Sequence, residues 1–224
     1  RKIVLFQCLL MILVSREAGV YGADRDEPLV DKTLVVWTAP ANLTQQGGTA
    51  LTIDANGIDR FDGIVFGELE PKVWMPGSNN YSRTDKNQSD WPQETASPDE
   101  FVLVAVVYEG RTVTLYRDGK LQAKYTMAGQ PYSFGAQAII MFGPRHLANQ
   151  TDCYQGIIKD ARIYDRPLDQ ATLAKMQPGK PIPDLKPWAW WDFTATGPYE
   201  RTGRFNEIKL SGDATIEDEG LVLG

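Results

Sequence analysis

The stretch Gly156-Ile-Ile-Lys-Asp-Ala-Arg-Ile-Tyr-Asp-Arg-Pro-Leu168 decides the fold of this 224-residue chain. Its first nine residues are rich in β-branched and aromatic side chains, which predicts a strand. Asp169 follows directly and can N-cap a short helix that carries Leu173 and Met176. The stretch therefore predicts a last strand followed by one short helix, which together close a domain.

Upstream of this stretch, residues 34–164 contain short strand-like segments separated by turn signals, without helical periodicity longer than two turns. Asp118-Gly119 favours a type I′ turn and predicts a hairpin between 111–117 and 120–125. In the second of these strands Leu121, Ala123 and Tyr125 alternate with polar residues and are expected on the buried face. The pattern predicts an all-β fold, a two-sheet antiparallel β-sandwich with one short helix after the last strand.

The N-terminal segment has the layout of a signal peptide. Two basic residues precede the apolar run Ile3–Val14, which is shorter than the roughly 20 residues that span a bilayer. We predict a signal peptide over residues 1–22, with cleavage near Gly22 or Ala23 and no stable membrane insertion afterwards. The expected location is secreted, periplasmic or on the cell surface. Cleavage would remove Cys8 and leave Cys153 unpaired.

The C-terminal part has a different composition. Four prolines between residues 178 and 187 predict a stiff linker over 177–187, which separates a domain at 23–176 from the strand-rich tail 188–224. The tail is either the start of a second, truncated β domain, the interpretation we favour, or a set of strands that completes the first sandwich. Because the chain begins at Arg1 instead of Met, we expect a piece of a longer protein.

The charge of the chain excludes one class of partner. The net charge is -6 and the pI is about 4.9, and Lys and Arg are not clustered along the sequence. Binding to the phosphates of a polyanion needs such clusters. The sequence therefore argues against a nucleic-acid partner.

Three segments resemble the laminin-G-like jelly rolls of the concanavalin A-like lectin and glucanase superfamily. They are residues 61–68 (FDGIVFGE), 113–121 (VTLYRDGKL) and 156–168 (GIIKDARIYDRPL). The resemblance covers about residues 31–176 and implies a jelly roll of an exported bacterial protein, often attached to glycoside hydrolases such as family 32. It also implies a possible structural calcium ion, for which Asp160 is the candidate ligand.

The glucanases of this superfamily make catalysis the first hypothesis to test. They carry carboxylates in an E-x-D-x-x-E pattern, and Glu68-Leu-Glu-Pro71 lacks the third carboxylate and contains a strand-breaking proline. His146 is the only histidine, which excludes multi-histidine zinc sites and leaves Cys153 without a second candidate base. We therefore expect no catalytic residues in this chain.

Carbohydrate binding is the positive hypothesis, because sugar rings stack on exposed aromatic side chains. The long polar segment 74–101 contains such aromatics, and the residues after the strand ending at Phe142 could join the same surface. The carbohydrate-binding candidates are Trp74, Tyr81, Arg83, Trp91, Arg145 and His146. Alternatively, Trp74 and Trp91 only pin the segment to the sandwich.

These observations favour a non-catalytic accessory or recognition module of a secreted, glycan-processing protein, whose partner is a glycan or an attached hydrolase domain. Two alternatives stay open, namely a glucanase-type glycoside hydrolase and a structural or adhesion spacer domain.

Overall fold

The computed structural model describes residues 11–14, 28–56, 58–147, 149–197, 199–206 and 208–224. Most of the predicted signal peptide, its cleavage site and Cys8 lie outside these residues. Within them, no helical segment has the length and hydrophobicity that a membrane-spanning helix requires. These described residues form fourteen strands and one α-helix. The elements are β1 (Met11–Val14), β2 (Lys32–Pro40), β3 (Gly48–Asp54), β4 (Phe61–Phe66), β5 (Trp74–Ser78), β6 (Val102–Glu109), β7 (Thr112–Arg117), β8 (Lys120–Thr126), β9 (Ile139–His146), β10 (Asn149–Cys153), β11 (Gly156–Tyr164), α1 (Gln170–Leu173), β12 (Ala189–Asp192), β13 (Thr215–Glu217) and β14 (Gly220–Leu223).

The strands form two antiparallel sheets. One sheet has the order β1-β9-β3-β4-β5, with β10 paired to β9, and the other has the order β13-β14-β11-β2-β6-β7-β8, with β12 paired to β11. β1 lies inside the predicted signal peptide and pairs with β9. The prediction of an all-β, two-sheet antiparallel sandwich is confirmed.

The helix after the last predicted strand covers the outer face of the second sheet. Asp169 is its N-cap and accepts a hydrogen bond from the Thr172 backbone N–H at 2.7 Å, as the sequence predicts. Leu173 and Met176 are buried against Val35 and other outward-facing side chains of β2 and β6. These two strands are therefore buried on both faces.

A bulge in β11 changes which side chains point outward. Ile158 pairs with Thr38 and Asp160 with Trp37, so Lys159 is the extra residue. The bulge reverses the alternation of faces, and Ala161 then packs into the core between the sheets while Asp160 faces outward with Trp37. The same strand thus contributes apolar side chains inward and a charged group outward.

A second bulge corrects the predicted pattern of the β7–β8 hairpin. The turn itself is as predicted, since Asp118 and Gly119 both have positive φ. Tyr116 pairs with Leu121 and Leu115 with Ala123, which leaves Gln122 as the extra residue. Leu121 therefore points outward and is 52% exposed, so its predicted place on the buried face was wrong.

The strands of the tail pair with β11. β12 lies along Asp160–Ile163, and β14 lies along Gly156–Ile158 of the same edge, while β2 occupies the other edge. This pairing corresponds to the alternative in which the tail strands complete the first sandwich. The domain limits at residues 22, 176 and 187 stay predictions.

Cys153 is disulfide-bonded in the structure of the uncleaved chain. The unpaired thiol expected after cleavage stays a prediction.

A buried ionic group connects the two sheets. Asp62 of β4 lies between Lys32 of β2, at 2.9 Å, and Arg83, at 2.6 Å, and all three side chains are almost completely buried. The ammonium of Lys32 also lies over the rings of Tyr108 and Phe134, at 4.4 and 5.0 Å. Burial lowers the pKa of Lys32, and the attraction of Asp62 opposes that shift.

A second buried carboxylate holds the long segment after β5. Glu94 accepts hydrogen bonds from the Trp74 indole at 2.8 Å, from the backbone N–H groups of Thr95 and Ala96, and from Arg117 at 3.0 Å. Burial acts to raise the pKa of Glu94, but these hydrogen bonds prevail and hold it below its ordinary value of 4.5. Trp74 therefore pins the segment to the sandwich, as the alternative hypothesis has it.

Replacing Asp62 tests the inter-sheet group. We expect Asp62→Asn to lower the free energy of unfolding by about 3–5 kcal/mol, because Lys32 and Arg83 would keep buried charges without a counter-ion. Urea unfolding measures the effect. Asp90→Asn is the control, because Asp90 is exposed and its change should stay within about 0.5 kcal/mol of the parent chain. Equal stabilities of the two variants would contradict this role of Asp62.

Replacing Glu94 tests the pinning of the segment as a function of pH. Because the folded-state pKa of Glu94 is lowered, its contribution is complete above pH 4.5 and is lost as the pH falls through the folded-state value. Glu94→Gln should therefore cost about 2 kcal/mol at pH 7, and the difference from the parent chain should shrink below pH 4.5.

The matched control for this measurement is Glu100→Gln. Glu100 approaches the same arginine only at 3.8 Å and is 54% exposed, so its loss should change stability by less than about 1 kcal/mol at either pH. A cost of Glu94→Gln that stays constant from pH 7 to pH 3 would be incompatible with the proposed ionic contribution.

Candidate functional site

Two of the predicted binding residues converge on Glu68. Arg145, near the end of β9, lies 2.6 Å from Glu68 Oε1, and the Tyr81 hydroxyl donates a hydrogen bond to the same oxygen at 2.7 Å. Arg145 also donates to the Gly47 carbonyl and to Asp152. Glu68, the carboxylate nearest to a glucanase pattern, is therefore bound by a cation and a phenol.

Tyr81 reaches Glu68 through an unusual backbone conformation. Its φ is 54°, in the left-handed region that bulky residues seldom adopt, and the preceding Asn80 has φ of 49°. Burial and the hydrogen bond to Glu68 both raise the pKa of the Tyr81 hydroxyl, so it stays a hydrogen-bond donor at neutral pH. This turn places an aromatic side chain beside the charged pair.

His146 lies next to this group in sequence but has other contacts. Its ring stacks on Phe61, with centroids 4.9 Å apart, and its Nδ1 lies 3.9 Å from Asp59. The structure therefore brings together Tyr81 and Arg145 through Glu68, while His146 packs on a core aromatic residue.

Two other candidates lie in the interior and not on a loop surface. Trp74 is 4% exposed and Arg83 is 3% exposed. Trp74 is bound to Glu94, and the guanidinium of Arg83 is bound to Asp62, the Phe61 carbonyl and Asn79. Their predicted placement at the surface was wrong, because each serves a buried carboxylate.

Asp160, the calcium candidate, is occupied by nitrogen donors. Arg162 donates to both of its oxygens at 2.8 and 2.9 Å, and the Gly179 N–H and the Trp190 indole donate at 2.7 and 2.9 Å. Its side chain is fully buried. These contacts make it the partner of an arginine, and no cluster of three His, Cys, Asp or Glu residues suited to a metal occurs in the described part of the chain.

Trp91 is the candidate that lines a groove. Its ring stacks on Tyr125 of β8, with centroids 5.9 Å apart and an interplanar angle of 29°, and it is half-buried. A cavity of about 170 Å³ adjoins it. Its remaining lining residues are Trp74, Pro92, Gln93, Glu94, Thr95, Leu115, Arg117 and Gln122. We call this the Trp91 groove.

The sequence did not point to Gln122 as a lining residue of this groove, or to Tyr125 as the residue on which Trp91 stacks. Gln122 reaches it because it is the bulge residue of β8, and a bulge redirects a side chain relative to simple alternation. The Tyr125 hydroxyl donates to the Arg83 carbonyl, which fixes the ring on which Trp91 lies. No sequence signal marks this bulge. The alternation rule placed Leu121, Ala123 and Tyr125 on the buried face, which is right for Ala123 and Tyr125 and wrong for Leu121.

Comparisons with known proteins extend the structural result. A laminin G family model, described as the concanavalin A-like lectin/glucanases superfamily, matches residues 20–174. No curated protein sequence matches the chain.

Two solved structures share the fold. A protein from Bacteroides ovatus ATCC 8483 proposed to bind carbohydrate superimposes with a TM-score of 0.61 and 12% identity, over 95% of this chain and 62% of the other. This chain thus spans less than two thirds of that protein. The heptameric SAP-like pentraxin from Limulus polyphemus superimposes with a TM-score of 0.53 and 12% identity, over 97% of this chain and 95% of the other.

At these identities the two structures show a common fold, and the family match covers more than half of the chain. The chain belongs to the concanavalin A-like lectin/glucanase superfamily, as a laminin-G-like β-sandwich.

Proposed function

We propose that this chain is a non-catalytic carbohydrate-recognition module of a secreted, glycan-processing protein. The observation that carries the proposal is the Trp91 groove, where a half-exposed indole lies beside amide and guanidinium groups. The Bacteroides ovatus protein of the same fold, itself proposed to bind carbohydrate, supports the choice of ligand class.

The groove has the chemistry that a sugar requires. The C–H face of a pyranose ring would lie against Trp91, whose orientation is fixed by stacking on Tyr125. The side chains of Gln93 and Gln122 offer amide donors and acceptors to hydroxyl groups, and Arg117 offers further donors. Its volume of about 170 Å³ is below the roughly 300 Å³ at which pockets enclose larger ligands, so the groove suits a single sugar residue.

Hydrolysis is less well supported by the same structure. A glycosidase needs two carboxyl groups on either side of the scissile bond, one of them available as an acid. Glu68 is bound to Arg145 and Tyr81, and Glu94 is buried under five hydrogen bonds. Both carboxylates therefore have structural partners.

The burial of Trp74 and Arg83 supports the alternative that the chain is a structural spacer. A binding measurement distinguishes the spacer hypothesis from the carbohydrate-recognition hypothesis. The full chain would be applied to an array of neutral and acidic oligosaccharides, and the best-binding neutral oligosaccharide would then be titrated by calorimetry. If no glycan binds the folded chain at millimolar concentration, the result would contradict our proposal and favour the spacer role.

Two variants test the groove. We expect Trp91→Ala to weaken binding of that oligosaccharide about tenfold, because the stacking surface is lost. Gln122→Ala should weaken it about three- to tenfold through the loss of a hydrogen bond. Gln130→Ala is the matched control, since Gln130 is exposed and lies outside the groove, and its affinity should equal that of the parent chain. Circular dichroism would verify that each variant is folded.

A further inference from the structure

A second cleft, beside β12, contains an unusual combination of tryptophans and cations. It has a volume of about 360 Å³ and lies where the tail begins. Its lining residues are Lys186, Pro187, Trp188, Trp190, Arg201, Thr202 and Arg204. We call it the Trp188 cleft. It continues into a larger cavity of about 750 Å³ through four of the same residues, including Trp188 and Arg204.

The tryptophans fix the positions of the arginines. The guanidinium of Arg204 lies 4.4 Å from the centre of the Trp188 ring, and its Nε donates to the Trp188 carbonyl at 2.8 Å. Arg201 lies 5.9 Å from the centre of the Trp190 ring. Stacking of this kind holds the Arg201 guanidinium by its face and leaves N–H groups at its edge for a ligand.

Trp190 is itself held in place from below. Arg162 lies 4.6 Å from the centre of its ring, and its indole N–H donates to Asp160 at 2.9 Å. The charge of Arg162 is matched by Asp160, with which it forms two hydrogen bonds. The floor of the cleft is therefore rigid and electrically neutral, and the excess positive charge lies with Lys186 and Arg201.

Two of the lining cations, Lys186 and Arg201, have no acidic partner among the residues that line the cleft. Lys186 and Arg201 are exposed and make no ion pair within the described ranges, and no acidic residue lines the Trp188 cleft. The neighbouring Glu200 has one oxygen engaged by the Thr202 N–H and hydroxyl. Asp31 and Asp165 line only the larger cavity. In a chain of net charge -6, this cleft is a local concentration of positive charge.

We propose that the Trp188 cleft binds an acidic saccharide, with its carboxylate between Arg201 and Lys186 and its sugar ring against Trp188. An arginine edge binds a carboxylate through two parallel hydrogen bonds, and an indole binds the apolar face of a sugar. The cleft is about twice as large as the Trp91 groove, so it accommodates more than one sugar residue. The overall negative charge opposes a long polyanion such as nucleic acid.

This site is independent of the Trp91 groove, because the two share no lining residue. Lys and Arg are not clustered along the sequence, and the fold is what brings the cations of this cleft together. Lys186, Arg201 and Arg204 are spread over nineteen positions of the sequence and are brought together by the turn after β12.

The test uses the full chain and trigalacturonate as the probe, with its methyl ester as a neutral analogue of the same rings. Calorimetry at low ionic strength should show that the acid binds at least about tenfold more tightly than the ester. Its affinity should fall with added salt, since the attraction is ionic. Equal affinities for acid and ester would overturn the proposal, and so would binding of inorganic phosphate as tight as that of the acid.

Variants locate the site. Arg201→Gln should weaken trigalacturonate binding about tenfold, and Lys186→Gln should weaken it about threefold. Arg60→Gln should have no effect, because Arg60 is an exposed arginine just before β4, outside the cleft. Arg201→Gln should leave neutral-glycan binding at the Trp91 groove unchanged, which separates failure of this proposal from failure of the proposed function. If Arg60→Gln weakened binding as much as Arg201→Gln, the effect would reflect net charge and the site assignment would be overturned.

Discussion

The pairing of Asp160 with Arg162 on the outer face of β11 is the constraint on which much of the structure depends. Burial removes an ion pair from water, which is costly unless every donor and acceptor of the pair has a hydrogen-bond partner in the protein. Here Arg162 satisfies both oxygens of Asp160 and also donates to the carbonyls of Gln177 and Lys180, so that the linker is bound to the strand. Its guanidinium lies over the rings of Trp37 and Trp190.

The bulge at Lys159 makes this arrangement possible. Without the extra residue, the alternation that places Ile158 in the core would place Asp160 and Arg162 there as well. With it, the charged pair meets the linker and the first strand of the tail, and the floor of the Trp188 cleft is formed. One local irregularity of a strand therefore connects the motif that decides the fold to the second candidate binding site.

The predictable parts of this protein were those with local signals. Asp169 caps its helix and Asp118-Gly119 forms its turn, because both effects act over two or three residues. The surface placement of Trp74 and Arg83 could not be judged in this way. Trp74 donates a hydrogen bond to Glu94 and Arg83 donates one to Asp62, in each case to a buried carboxylate about twenty positions away in the sequence. Only the folded chain shows these partners. The bulge at Gln122 carried no sequence signal either, so the Trp91 groove was predicted only in part.

The end-to-end placement of β12 and β14 along β11 has a consequence for assembly. The unpaired N–H and C=O groups of an edge strand are a template for a strand of another molecule. In this fold that template is occupied by the chain's own tail, over Gly156–Ile158 and Asp160–Ile163. The tail therefore acts as an intramolecular guard against strand exchange at this edge of the sandwich.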